Sequence, residues 1–560
     1  MSRFGIGWIA AWAPLVTLGI ACVASSSPSS LPFSQGPMSL TLPIARMPHT
    51  LNPLNIRNAQ VVRFIFDGLT RLDPTTGAPI PALAESWQID PGGKVYTFRI
   101  RSDVLWSNRR PFGPEDVLFT LDRLVLSEDI RNPYRELLRV PAPGGGGFPS
   151  LERVSETEIR LTLPAPFPPL LRALSYIPIL PKHRLEADLA QGMIHLSWRM
   201  SDSVREVVGT GPFILDDIDP GREVRLRRNP YYWERDEDGS RLPRLDRIVY
   251  RVVRDPVQAL LDGEIDLLVA DSHRIDEIRP HARRSSIDLL EAGPLGEATF
   301  LVFRHRPTSL GRLFARKKFR QAISHAIDRH QMVETIFGGL GRVQRSPISK
   351  ANPYFHHDEV RTYPFDPVLA MRGLDEIGAK DRDRDGVRET PDGQPLSFDI
   401  LVSISTNHTF DIALQIEANL RAIGIRARSR PIAPDRLFDA IQSGQWDAIV
   451  HTIPEAIDPQ LLSRIWASDA SMHYWNPSQS EPATPWEAEI DQIFRDARRE
   501  LDDEKRRKLY RRFQEIAAEE VPLIFTTQRA PIIAVRSRVQ NVEPAAIGVL
   551  HNITRILVSQ

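Results

Sequence analysis

Four acidic residues lie close together in the sequence DRDRDGVRE, and carboxylates at this spacing can bind a metal ion. They are Asp381, Asp383, Asp385 and Glu389, with Gly386 at the sixth position of the stretch. Carboxylates at positions 1, 3 and 5, a glycine at position 6 and an acidic residue at position 9 are features of a calcium-binding loop. These four acidic residues are therefore a candidate Ca²⁺ site.

Two features of the same stretch favour an ordinary turn. Arg382, Arg384 and Arg388 place positive charge among the carboxylates. The following sequence, PLSFDILVS, is typical of a strand, whereas the calcium loop of an EF-hand leads into a helix. An Asp/Gly turn that leads into a strand is the alternative interpretation.

Aromatic residues gather near the end of the chain. Trp466, Tyr474 and Trp475 lie within ten positions of one another. Trp and Tyr supply rigid contact area with one polar edge, which suits the wall of a ligand site. We therefore treat these three residues as candidate binding residues, with packing between helices and strands as the alternative for each.

Cys22 is the single cysteine of the chain and lies where an apolar run gives way to a Ser- and Pro-rich segment. A short apolar run after an early positive charge is typical of a signal peptide, and a cysteine just after small residues at its end is typical of a lipidation site. We expect residues 1–22 to be a signal peptide with a lipidation motif and residues 23–38 to be a flexible tether. Gly19 stands where such motifs usually have Leu, so secretion without a lipid is the alternative.

Sequence motifs of several common enzyme classes are absent. GxxxxGK[ST], HExxH and GxSxG do not occur, so a phosphate-binding loop, a zincin site and a hydrolase elbow lack their signatures. The chain has 71 basic and 71 acidic residues, a balance that gives no indication of nucleic-acid binding. No cofactor is predicted. An exported hydrolase with a triad assembled from distant residues stays an alternative, because triads are defined by geometry.

The hydrophobic pattern predicts an α/β protein with more than one domain. The chain has 560 residues, and single hydrophobic cores stop growing at roughly 250–300 residues. Strands are expected in VYTFRI, EIRLTLP, PLSFDILVS and APIIAVRS. Helices are expected in PFGPEDVLFTLDRLVL, in residues 319–337 and 411–425, and as a pair of charged amphipathic helices in residues 487–520.

Several stretches, in this order along the chain, resemble one protein family. They are ALAESWQIDPGGKVYTFRIRSDVLW, GTGPF, RLRRNPYYW, GEIDLL, KKFRQAISHAIDR, LRAIGIRA and QWDAIV. Together they resemble the family 5 extracellular solute-binding proteins, which are the dipeptide, oligopeptide and nickel receptors of ABC importers. The resemblance extends over about residues 40–535.

The resemblance implies a two-lobed periplasmic-binding-protein-like α/β fold of type II, with a hinge between the lobes and an extra inserted domain. Lobe I would contain residues 39–80, 205–300 and 525–560. The inserted domain would contain residues 81–204, and lobe II residues 301–524.

The resemblance also implies a function, that of a receptor which captures di- or oligopeptides and delivers them to a separate permease and ATPase. Such a protein is an extracytoplasmic monomer and not an enzyme. Peptide receptors of the family bind the peptide amine with an Asp, for which Asp458 is the match and Glu455 the rival. A turn cap before Pro459 is the alternative role of Asp458, and a carrier for nickel or another small solute is the alternative function.

Overall fold

The computed structural model describes residues 38–55, 59–141, 145–294, 296–403, 407–454, 456, 458–470, 472–477, 479–545 and 548–559. The helices are α1 (Ala59–Val62), α2 (Pro114–Leu118), α3 (Leu170–Leu174), α4 (Lys182–Ala190), α5 (Pro256–Leu261), α6 (Ser272–Ile278), α7 (Ser309–Phe314), α8 (Lys317–Ala326), α9 (Arg329–Phe337), α10 (Pro367–Glu376), α11 (Asn407–Ala422), α12 (Pro434–Ser443), α13 (Ser463–Trp466), α14 (Pro485–Ala497) and α15 (Asp503–Glu520). Within these ranges, no helix combines the length and apolar character needed to cross a membrane.

The strands are the other main regular elements. They are β1 (Ser39–Ile44), β2 (Thr70–Leu72), β3 (Pro79–Pro81), β4 (Ala84–Ile89), β5 (Val95–Ile100), β6 (Ser150–Arg153), β7 (Glu158–Thr162), β8 (Phe213–Asp219), β9 (Glu223–Arg228), β10 (Arg247–Val252), β11 (Leu267–Ala270), β12 (Ile287–Glu291), β13 (Glu297–Phe303), β14 (Gly341–Val343), β15 (Ser397–Ser403), β16 (Arg426–Ile432), β17 (Ala448–Pro454), β18 (Leu523–Phe525), β19 (Thr527–Arg529), β20 (Ile532–Arg536), β21 (Val539–Gln540) and β22 (Leu557–Val558).

The first part of the chain forms two sheets, and the last segment adds a strand to one of them. One has the order β1-β10-β9-β8, in which β1 is parallel to β10 and the other pairs are antiparallel. The second is antiparallel, with β20 between β11 and β12. Because β20 comes from the end of the chain, this region is built from segments that are far apart in the sequence.

A separate antiparallel sheet has the order β4-β5-β7-β6. In the sequence, its strands come between β1 and β8 of the first sheet. Its buried core includes Phe98, Trp106 and Leu161 and extends to helix α3 through Leu170 and Leu174. The alternation of buried and exposed residues along β5 and β7 places one face of the sheet on this core.

A five-stranded sheet has the order β16-β15-β17-β13-β18. Strands β16, β15 and β17 are parallel, whereas β13 and β18 are antiparallel to their neighbours. Successive residues of β13 enter different cores: Leu301 packs against helices on one face, and Phe300 and Val302 on the other. This sheet is therefore covered on both faces, as parallel strands require.

The chain crosses twice between the three-stranded sheet and the five-stranded sheet, at neighbouring places. It leaves β12 and enters β13, and it later leaves β18 and passes through β19 to β20. The two crossings touch, because the amide of Thr526 donates to the carbonyl of Thr299 at 2.9 Å. The guanidinium of Arg529 also binds both carboxylate oxygens of Glu297, each at 2.8 Å. These adjacent connections join the two halves of the molecule.

The predicted strands and helices are confirmed, with two local differences. The helix expected in PFGPEDVLFTLDRLVL begins as α2 and continues as a π-helix over Phe119–Val125. Residues 319–337 contain two helices, because Asp328 accepts the amide of Gln331 and so caps a new helix, α9. The predicted pair of charged helices corresponds to α14 and α15.

Replacement of Phe300 by Ala tests the packing on one face of the five-stranded sheet. Its fully buried ring lies 5.6 Å from the ring of Tyr474 and 6.0 Å from that of Phe525, measured between centroids. We expect Phe300→Ala to lower the free energy of unfolding by about 3–5 kcal/mol, because it leaves a cavity. Urea denaturation measures the loss.

Leu414→Ala is the matched control, since Leu414 lies on α11 of the same half and is 45% exposed. Its effect should stay within about 0.5 kcal/mol. Equal destabilisation by the two substitutions would contradict the packing described here.

Candidate functional site

Asp458 lies just after strand β17, at the start of a short 3₁₀ helix, Pro459–Leu462. Its side chain has no exposed surface. One carboxylate oxygen, Oδ1, accepts the amide of Gln460 at 2.9 Å, so Asp458 does cap a turn before Pro459, as the sequence allowed.

Arg506 of helix α15 is the principal partner of Asp458. Its Nη1 donates to Oδ2 at 2.7 Å and its Nη2 donates to Oδ1 at 2.5 Å, which is a bidentate pair. The guanidinium is also buried, with 2% of the Arg506 side chain exposed. This pair fixes α15 against the end of β17.

Burial and charge act in opposite directions on the two partners. Burial alone would raise the pKa of Asp458, but Arg506, its hydrogen bonds and Arg172 hold that pKa below the ordinary value. Burial would lower the pKa of Arg506, whereas Asp458 and Tyr510 raise it. Both groups are therefore charged at neutral pH, as a buried ion pair requires.

Arg172 brings the other half of the molecule to the same carboxylate. It lies on α3, in the core of the sheet β4-β5-β7-β6, and its Nε is 3.6 Å from Oδ2 of Asp458. Its guanidinium carbon lies 4.7 Å from the ring centroid of Tyr354 and 5.0 Å from that of Phe355, on the second half. Arg172 therefore connects the two halves at Asp458.

The bonding of Arg172 is incomplete. Its Nη1 donates to the carbonyl of Gly77, but among the described residues its buried Nη2 has no hydrogen-bond partner. Burial lowers the pKa of Arg172, and the carboxylate of Asp458 opposes that shift. A buried donor without a partner is unfavourable, which distinguishes this contact from the saturated pair made by Arg506.

The three aromatic candidates lie in the core behind this site. The ring centroids of Trp466 and Trp475 are 5.3 Å apart, and the indole of Trp475 donates to Glu487 at 2.9 Å. Tyr474 packs edge-on against Phe300 and has no exposed surface. The structure thus brings the three together by packing, and their role as ligand contacts stays a prediction.

A row of hydroxyl groups near the two crossings was not identified from the sequence. The Oγ1 of Thr452 lies 2.9 Å from that of Thr299 and 3.0 Å from that of Thr409. These residues come from β13, β17 and α11, so they have no common sequence signal. The hydroxyls bond one another where the strands of the second half meet the crossings.

Two candidate residues, Cys22 and Glu455, lie outside the described residues. The acidic stretch is described. The carboxylates of Asp381, Asp383, Asp385 and Glu389 approach to within 4.8 Å of one another.

The acidic stretch is organised as a turn by its own backbone. Asp381 accepts the amides of Arg384 and Gly386, and Asp385 accepts the amide of Val387. Strand β15 follows, in agreement with the turn interpretation. Asp392, at the twelfth position, binds Arg312 at 2.9 Å instead of joining the cluster. Calcium binding by the four acidic residues stays a prediction.

The sequence and the fold of this chain are similar to those of known proteins. The chain is 25% identical over 504 residues to Di/tripeptide-binding protein 2 of Pseudomonas aeruginosa (strain UCBPP-PA14), covering 84% of this chain and 86% of that protein. The structure of the oligopeptide-binding protein AppA from Bacillus subtilis, in complex with a nonapeptide, matches with a TM-score of 0.65 at 22% identity, over 94% of this chain and 100% of that one.

A second solved structure supports the same fold. The ABC transporter substrate-binding protein CtaP from Listeria monocytogenes matches with a TM-score of 0.71 at 19% identity, over 93% of this chain and 99% of that one. The predicted fold class, a two-lobed periplasmic-binding-protein-like α/β fold, is confirmed.

The model of one protein family covers most of the chain. Residues 78–473 match the bacterial extracellular solute-binding proteins, family 5 Middle. The matched region begins before the sheet β4-β5-β7-β6 and ends beside the aromatic group, so it includes Arg172, Asp458 and the first crossing. The chain therefore belongs to the bacterial extracellular solute-binding proteins of family 5.

Proposed function

We propose that this protein is the receptor of an ABC importer and that it captures di- or oligopeptides between its two lobes. The names of Di/tripeptide-binding protein 2 and of the nonapeptide-bound AppA support peptides as the solute, and the name of CtaP supports the transporter. The receptor would act without covalent catalysis, as a monomer outside the cytoplasm, and would deliver peptides to a separate permease and ATPase.

The acceptor sites of Asp458 carry this proposal. A carboxylate offers about four lone-pair sites. Arg506 uses one on each oxygen, and the amide of Gln460 uses a second on Oδ1. The last site, on Oδ2, faces Arg172, whose Nε is 3.6 Å away and thus beyond hydrogen-bond distance. A peptide ammonium can take that site when the lobes separate and Arg172 moves away.

The aromatic group would support this site by packing beside it in the core. We propose that Trp466, Tyr474 and Trp475 form the packed wall that fixes the position of Asp458. Trp466 packs on Phe513 of α15 at 4.9 Å between centroids, and α15 also carries Arg506. This arrangement leaves little freedom for the carboxylate, which a precise ammonium site requires.

The sheets support the domain boundaries inferred from the sequence. Strands β1, β8–β12 and β20 fall in the segments 39–80, 205–300 and 525–560 assigned to lobe I, and β4–β7 fall in the inserted domain, 81–204. Strands β15–β17 fall within lobe II, 301–524, with β13 and β18 at its two ends. We propose these ranges as the domains, with the two crossings as the hinge.

A comparison of free and N-acetylated trialanine tests the role of Asp458, because the two ligands differ only at the amine. We expect the unmodified protein to bind free trialanine at least about tenfold more tightly, because acetylation removes the charge that the carboxylate binds. In Asp458→Asn the ratio of the two affinities should fall towards one. Isothermal titration calorimetry measures both affinities.

Glu504→Gln is the matched control, because Glu504 is a half-exposed carboxylate on the same helix as Arg506. It should leave the ratio unchanged. Circular dichroism must show that Asp458→Asn is folded, since loss of one partner of a buried pair costs about 3–5 kcal/mol. An unchanged ratio in folded Asp458→Asn would contradict the proposed ammonium site.

We also propose that a lipid on Cys22 anchors the receptor and that residues 23–38 give it reach. Acyl chains contribute about 0.8 kcal/mol per buried CH₂ to membrane binding. When the protein is produced in bacterial cells fed a labelled fatty acid, the label should enter the unmodified protein and be absent from Cys22→Ser. Label retained by Cys22→Ser would rule out this attachment site.

A further inference from the structure

Lobe II contains a cavity whose lining residues are not bonded to Asp458. Its volume is about 410 Å³, and it is lined by the start of α9, the edge of β14, residues 361–365 and the end of α15. The volume falls in the range of about 300–1,000 Å³ that is usual for small-molecule sites. The residues that line it include neither Asp458 nor Arg506.

The floor of the cavity is apolar. Val343, Val521, Leu523 and Phe525 supply hydrocarbon surface, and Phe365, which is 44% exposed, stands at the edge. Ligand pockets are lined mainly by hydrophobic and aromatic side chains. The floor therefore suits the apolar body of a small ligand.

The charges along the cavity are mostly positive. Arg329, Arg345 and Arg361 line it, against the single carboxylate of Asp328. That carboxylate caps α9 by accepting the amide of Gln331 at 2.9 Å, a neutral donor that cancels none of its charge, so one negative charge faces the arginines. Arg361 is paired with Glu519 at 2.7 Å. An excess of positive charge remains on Arg329 and Arg345.

Arg329 is a partly buried cation that bonds neutral groups. Its Nε donates to the carbonyl of Phe525 at 2.8 Å, and Nη1 and Nη2 donate to the carbonyl and hydroxyl of Ser324. Burial, and then the charge of Arg345, lower the pKa of Arg329 to about 10. Within the described ranges no carboxylate forms an ion pair with Arg329, so its charge acts on the cavity.

Arg345 is the cation that is free to bind a ligand. It is exposed and lines the cavity, and within the part of the chain that the structure describes it makes no hydrogen bond or ion pair. Arg329 repels it, so an anion placed beside Arg345 would be attracted by both guanidiniums. A guanidinium binds a carboxylate through two parallel hydrogen bonds.

We propose that this cavity binds a small amphipathic carboxylate, with its apolar body on the floor and its carboxylate at Arg345. The site is separate from the peptide site and does not depend on the proposed function.

Octanoate and octanol are matched probes for this site, because they differ in the charged group. We expect calorimetry on the full mature chain to show octanoate binding with octanol at least about tenfold weaker. Arg345→Gln should weaken octanoate by about tenfold and leave octanol unchanged, whereas Arg345→Lys, which keeps the charge but loses the planar fork, should weaken octanoate by less than Arg345→Gln does. Thr362→Trp, at an exposed lining position, should block both probes.

Arg342→Gln is the control, since Arg342 is exposed, is paired with Glu291 and does not line the cavity. It should bind octanoate as the unmodified protein does, and saturation with trialanine should not displace octanoate. Unchanged octanoate affinity in Arg345→Gln, equal affinity for octanol, or displacement by trialanine would each overturn the proposal.

Discussion

The buried charge of Asp458 is the constraint on which the arrangement of the lobes depends. An ionised carboxylate without solvent must be paired and hydrogen-bonded, because its desolvation is costly. Arg506, on helix α15, meets most of that requirement. Arg172, on helix α3, approaches without completing a hydrogen bond. The carboxylate thus has one tight partner and one loose partner, and under the proposed function the loose one belongs to the part of the molecule that moves when a solute enters.

The two crossings determine how that movement can occur. A receptor that encloses a solute needs lobes that rotate about a small number of backbone connections. Here the connections lie side by side, joined by Thr299 with Thr526 and by the bidentate pair of Glu297 with Arg529. These bonds hold the two crossings together as a unit. The contact of Arg172 with Asp458 involves neither crossing and can break separately. Closure and opening can therefore proceed without loss of either core.

Local patterns predicted the elements well, because helix and strand periodicity is set by neighbouring residues. Strand β5 and the pair α14 and α15 show this directly. The break between α8 and α9 followed from a cap at Asp328 that was not recognised. The two-lobed fold was predicted from the family resemblance and not from the periodicity of the sequence.

The contacts of the site could not be predicted from local sequence patterns. Asp458 was identified, but its pairing with Arg506 joins residues 48 positions apart, and its contact with Arg172 joins the two halves of the molecule. The hydroxyl row of Thr299, Thr409 and Thr452 likewise comes from three elements. Such contacts are decided by tertiary packing, for which a single sequence has no local signal. The turn at Asp381 was the opposite case, since its own backbone amides organise it.

Native mass spectrometry of the protein purified without denaturation tests the central claim most directly. A receptor that holds peptides between its lobes should carry a set of added masses that match short peptides, at one per chain. These masses should be exchanged when trialanine is added in excess. A protein that carries a solute of another class, and that forms no adduct with trialanine, would contradict the account.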